Sequence, residues 1–82
     1  MEEDEIVNRI RNILISVLKH ENFEINDSLS ASDVGGWDSL SHMAIITRIE
    51  KSFEVKFKLK ELNKLNNMGN LISLLTTKIE EK

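Results

Sequence analysis

Cysteine and proline are both absent from this 82-residue chain. Without cysteine there is no disulfide, no thiolate metal site and no cysteine nucleophile. The lack of proline suits a mostly helical chain, because nothing removes a backbone donor inside an element. Aromatics are scarce at 5% of the residues, and glycine occurs 3 times. No apolar run approaches the roughly 20 residues that span a bilayer. The start, Met1-Glu2-Glu3-Asp4-Glu5, is acidic and lacks the basic and apolar regions of a signal peptide. A soluble, cytoplasmic protein with no membrane insertion is therefore expected. Positive charge is not in excess either: the net charge is -3, from 14 acidic and 11 basic residues. Nucleic-acid binding calls for a basic patch or stripe and is not expected. Lys56, Lys58, Lys60 and Lys64 make a local basic cluster, but Glu54 and Glu61 interrupt it. That pattern reads as solvated surface. No repeat, low-complexity segment or metal-ligand constellation is visible.

A chain of this length makes one domain, residues 1–82, with a modest core. Ile6, Ile10, Ile13, Leu14, Val17 and Leu18 recur at helical spacing and predict a first helix over about 3–19. Acidic residues at its start and Lys19-His20 at its end complement the helix dipole, so His20 reads as a helix-end residue. From 21 to 37 turn formers dominate, and Phe23, Ile25, Leu29 and Val34 are the residues to pin this long loop down. A second helix is expected over about 38–52, with Ile45, Ile46, Ile49 and Phe53 inward and Leu40, Met43 and Thr47 on a more exposed arc. A brief third helix falls within 57–63, with Leu59 and Leu62 facing inward. Asn66 or Asn67 caps a last helix to about 79, buried through Leu71, Ile72, Leu74, Leu75 and Ile79. The expected fold is all-α: an antiparallel bundle of three main helices plus a short third one.

The most informative stretch is Gly35-Gly36-Trp37-Asp38-Ser39-Leu40, followed by the apolar run Met43-Ala44-Ile45-Ile46. It sets a serine hydroxyl in the first turn of an amphipathic helix, after a glycine-softened loop. Such a terminus offers unpaired N–H groups and partial positive charge, which favour a phosphate. Asp38 or Ser39 also suits an N-cap, and capping alone accounts for the pair. A self-contained hydrolase is disfavoured. Its serine needs a base and an orienting group, and only His42, with Asp33 or Asp38, offers itself; no Gly-x-Ser-x-Gly turn surrounds Ser39. Leu40 and Met43 read equally as packing residues or as a contact surface, and methionine suits adaptable surfaces. Trp37 either anchors the loop or meets a ligand or partner. His42 reads as an exposed helix residue.

With its flanks, Asn26-Asp27-Ser28-Leu29 upstream and Ile49-Glu50-Lys51-Ser52-Phe53-Glu54-Val55-Lys56-Phe57 downstream, the stretch resembles the acyl carrier protein family over nearly the whole chain. The resemblance implies a carrier and not an enzyme. Ser39 would receive phosphopantetheine from coenzyme A through a phosphopantetheinyl transferase, with Asp38 and Leu40 beside it. The arm would hold acyl groups as thioesters and present them to acyl-loading and acyl-accepting enzymes. Trp37, Leu40, Met43 and Thr47 would form the partner-contact surface of a monomer. The set Ile45, Ile46, Ile49, Phe53, Leu71 and Leu75 would line an acyl pocket in some carriers, although an ordinary core accounts for it better. Fatty acid synthesis carriers have an acidic second helix, whereas 38–58 here holds Asp38, Glu50 and Glu54 against Arg48, Lys51, Lys56 and Lys58. The expectation is a discrete carrier of a specialised pathway: polyketide, aminoacyl or envelope polysaccharide. A housekeeping fatty acid carrier and an unmodified helical interaction domain are the alternatives.

Overall fold

The computed structural model describes residues 2–81. Four helices follow in order: α1 (Glu3–Leu18), α2 (Ser39–Phe53), α3 (Leu59–Leu62) and α4 (Met68–Glu80). No strand occurs among the described residues. The long connection between α1 and α2 contains one short 3-10 turn, Ala31–Asp33, which the sequence pattern did not announce. Its capping carboxylate is Asp33, which accepts from the backbone N–H of Ser30 at 3.1 Å.

Apolar spacing places the core as expected for α1, α2 and α4. Ile6, Ile10 and Leu14 of α1 meet Ile45, Ile46, Ile49 and Phe53 of α2 and Leu71, Ile72 and Leu75 of α4 in one cluster. Ile13, Val17, Leu18, Leu74 and Ile79 are half-buried at its margin. Met68 and Val55 are buried too, although neither stood out in the sequence. The six residues considered as an acyl pocket are all buried in this cluster and serve as core. Two arginines stitch α1 to α2. Arg9 donates to the Ser52 carbonyl at 3.1 Å and lies 5.3 Å from the Phe53 ring centroid, while Arg48 donates to Ser16 Oγ at 2.6 Å. α1 and α2 both end on a residue in the left-handed region, Lys19 (φ 63°) and Glu54 (φ 56°).

One expectation fails. Leu59 does not face inward: it is 76% exposed. α3 is a single turn of 4 residues, too short for a periodic face to bury itself. Phe57, Leu62 and Leu65 fill the space against the core and leave Leu59 at the solvent end.

The α1–α2 loop is part of the bundle. Leu29 and Val34 are buried, and Phe23 and Ile25 pack against the core. Its carbonyls also complete α4: Met68 N–H donates to Leu29 O at 2.7 Å and Gly69 N–H to Asp27 O at 3.0 Å. Asn67 is the α4 N-cap and accepts from Asn70 N–H at 2.9 Å. The donors that a helix start leaves orphaned are thus answered by the loop and the cap.

Candidate functional site at the start of helix α2

The entry to α2 is built from a tight turn. Trp37 N–H donates to the Val34 carbonyl at 3.3 Å, closing Val34-Gly35-Gly36-Trp37. Gly36 has φ +84°, the left-handed value a type II turn demands at its third residue. His20 braces this turn from the end of α1. Its Nδ1 accepts from Asn22 N–H at 3.0 Å, which leaves Nε2–H to donate to the Gly35 carbonyl at 2.6 Å. His20 therefore anchors the loop just beyond the α1 cap.

Asp38, not Ser39, is the N-cap of α2. The Asp38 carboxylate accepts from Ser41 N–H at 2.9 Å, and Ser41 Oγ in turn accepts from Asp38 N–H at 2.8 Å. Ser41 Oγ also lies 2.8 Å from the Gly36 carbonyl, so one hydroxyl joins the cap to the turn. The Ser41 amide first, and then its hydroxyl, hold the Asp38 carboxyl below the usual carboxylate range.

Ser39 is the first residue of α2 and is exposed. Its hydroxyl has no hydrogen-bond partner among the described residues, in contrast to Asp38 and Ser41 on either side. Among the described residues no base is hydrogen-bonded to it. His42, one turn on, is engaged elsewhere: Trp37 Nε1–H donates to His42 Nδ1 at 3.1 Å. The two rings meet edge to edge through this bond, with centroids 6.2 Å apart and planes 26° from parallel. His42 is thus half-buried and is not the exposed helix residue that its spacing predicted. The signal that would have found the pair is weak, since a Trp–His hydrogen bond across a helix start has no periodicity.

An open cleft of about 490 Å³ lies beside the serine, lined by Ala31, Trp37, Asp38, Ser39, His42 and Met43. A second cavity of only about 40 Å³ shares Ala31, Trp37 and His42 and continues toward Leu65, Met68 and Leu71. That volume suits about one water molecule. Outside the cleft, Leu40 is 84% exposed and Met43 53% exposed. With Thr47, also exposed, they form a helical arc at spacings of three and four residues. Of the two readings of Leu40 and Met43, the packing one fails: neither belongs to the core.

Residues 8–75 match a family model described as a phosphopantetheine attachment site. The chain is similar to the holo acyl carrier protein of Geobacter metallireducens, solved in solution, with a TM-score of 0.84 and 35% identity over 92% of this chain and 86% of that one. It is also similar to the crystal structure of an acyl carrier protein from Thermotoga maritima, with a TM-score of 0.84 over 99% of this chain and 94% of that one. Identity to the latter is 18%, so that likeness speaks for the fold alone. No curated protein matches the chain.

Proposed function

This chain belongs to the acyl carrier protein family, whose cofactor is covalent phosphopantetheine, and from that premise we propose that Ser39 is the attachment residue. The observation that carries the proposal is the free, exposed Ser39 hydroxyl at the first position of α2. The residues fit the group. Asp38 occupies itself with the cap, so the helix start is rigid while the neighbouring hydroxyl stays available. Backbone donors at a helix start favour a phosphodiester, and the adjoining cleft gives its arm room.

Attachment is a phosphoryl transfer run by a partner. Ser39 Oγ attacks the coenzyme A phosphorus that bears the pantetheine. An Oγ–P bond forms, the pyrophosphate P–O bond breaks, and the adenosine bisphosphate leaves. The hydroxyl proton goes to a base of the phosphopantetheinyl transferase, because no base among the described residues is hydrogen-bonded to that oxygen. Once attached, the group supplies a flexible thiol that carries acyl cargo as a thioester. The chain's own residues then present it. Leu40, Met43 and Thr47 form the face that acyl-loading and acyl-accepting enzymes touch, and Trp37 contributes the part of its ring that lines the cleft.

The charge pattern supports a dedicated carrier of a specialised pathway over a housekeeping one. Complementary charge steers encounter and rejects wrong partners. Across 38–58, Arg48, Lys51, Lys56 and Lys58 outweigh Asp38, Glu50 and Glu54, a poor match for basic partners. We further propose that residues 1–82 work as one carrier domain, monomeric and cytoplasmic, without nucleic acid.

Intact mass before and after incubation with coenzyme A and a broad-specificity phosphopantetheinyl transferase tests the assignment. One phosphopantetheine should appear, mapped to Ser39 by peptide fragmentation, and Ser39→Ala should abolish it while melting at an unchanged temperature. No addition to the folded protein, with a control carrier modified in parallel, turns the reading toward an unmodified interaction domain. Malonyl loading by a fatty acid synthase transacylase at a housekeeping rate would refute the specialised pathway.

A further inference from the structure

We propose that the hydrogen-bonded Trp37–His42 pair is a built seat for the phosphodiester end of the arm, with His42 Nε2–H as its hydrogen-bond donor. The inference rests on the assignment of Ser39 as the attachment residue.

A neutral imidazole has one donor and one acceptor nitrogen. Trp37 Nε1–H donates to His42 Nδ1, so Nδ1 is the acceptor and the ring proton sits on Nε2. The bond to the half-buried indole, with the two planes 26° from parallel, then fixes the plane of the ring. A donor held in this way differs from a mobile surface side chain, since its orientation is set before any ligand arrives. Among the described residues, His42 Nε2–H has no acceptor, whereas both nitrogens of His20, the other histidine, are used within the protein.

Ser39 and His42 stand three residues apart in α2, the spacing at which helical side chains are neighbours. Both line the cleft, with Trp37 as a shared wall. A group tethered to Ser39 Oγ begins within that cleft, and its first charged atoms are the phosphodiester oxygens. Hydrogen bonds with a charged acceptor are about twice as strong as neutral ones. Asp38 also lines the cleft and repels an anion, so the oriented neutral donor of His42 is the wall group that attracts it and selects the direction in which the arm leaves. The indole provides an apolar floor for the methylene and methyl groups that follow. His42 and Trp37 are positioning residues here. They do no chemistry on the arm; they restrict where it points.

Apo and holo protein labelled with nitrogen-15, compared by NMR, test the seat, with intact mass read on the same samples. On conversion to the holo form, the His42 imidazole nitrogens and the Trp37 indole N–H should shift, and pantetheine protons should show Overhauser contacts to the indole ring. Trp37 is the one tryptophan in the chain, so its signals need no disentangling. His42→Phe keeps an aromatic ring but removes the donor. It should lose the arm–indole contacts and move the phosphorus-31 resonance to that of a holo peptide cut from the protein, with backbone spectra confirming the fold. His42→Gln, which retains an N–H donor, should restore part of the shift. A mass increase on Ser39 with unchanged His42 and Trp37 resonances overturns this inference alone, as does a His42→Phe protein that keeps the contacts. Absence of the mass increase overturns the attachment reading and the seat with it.

Discussion

Three small polar residues within four positions do different work at the α2 start, and their environments explain why. Asp38 and Ser41 exchange hydrogen bonds, whereas the Ser39 hydroxyl between them has no partner among the described residues. Asp38 carries a testable pH signature. Its carboxyl is depressed in the fold by the Ser41 amide and hydroxyl. At pH values between the folded and the ordinary carboxylate value, the unfolded chain binds a proton that the folded chain does not. The stability contributed by the cap is therefore complete above the ordinary value and is lost as the pH falls through the lower, folded one. Asn caps as well as Asp but does not titrate in this range. Asp38→Asn should thus keep most of the neutral-pH stability and flatten the acid limb of a melting-temperature profile; an unchanged acid limb would assign it to other carboxylates. The neighbouring turn offers a matched pair. A Cβ at Gly36 is forced into the left-handed region, at a cost of about 1–2 kcal/mol. A Cβ at Gly35 meets nothing within 4 Å. Gly36→Ala should lower stability in denaturant titrations by about that amount, and Gly35→Ala by under about 0.5 kcal/mol.

The helices were legible in the sequence in proportion to their length. α1, α2 and α4 run 16, 15 and 13 residues, long enough for periodicity to mark the buried face, and their ends fall within about a residue of expectation. α3, at 4 residues, was legible in position but not in orientation, hence the error at Leu59. What holds it is partly electrostatic. Glu61 accepts from Lys58 N–H at 2.7 Å and pairs with Lys78 Nζ of α4 at 2.8 Å. The Lys78 ammonium first, then the Lys58 amide, keep the Glu61 carboxyl below its usual range, so the tie persists through mild acid and weakens only below that range. A turn this short does not persist by propensity. Glu61→Gln should therefore speed amide exchange across 59–62 several-fold while leaving α1 and α2 protected. Unchanged exchange would mean that Phe57 and Leu62 hold the turn by packing alone.

At the scale of the molecule, the long loop is a strap that joins the site to the start of α4, and this was only half legible. Its anchors Leu29 and Val34 showed as apolar residues among turn formers and are indeed buried. The loop carbonyls that cap α4 did not show, because backbone acceptors leave no trace in residue identity. Nor did the Trp37–His42 hydrogen bond, which pairs two residues of one local segment without a periodic rule. Gly69 gives the strap a measurable handle, because two effects oppose there. Alanine gains up to about 1 kcal/mol of helix propensity over glycine. Yet a Cβ at Gly69 would stand 3.0 Å from Asp27 O, 3.1 Å from Asp27 Cβ and 3.3 Å from Asn67 Oδ1. Asp27 O is the acceptor for Gly69 N–H, and two residues on Leu29 O is held by Met68 N–H at 2.7 Å, so the loop backbone has little freedom to retreat. Overpacking of this kind costs about 1–3 kcal/mol, which exceeds the propensity gain. Gly69→Ala should therefore lower the melting temperature by about 4–8 °C for each kcal/mol of net loss. Amide exchange at Met68 and residue 69 should rise, since their acceptors are displaced together. A higher melting temperature would mean that the strap yields, and that the bundle, not the loop, fixes the start of α4.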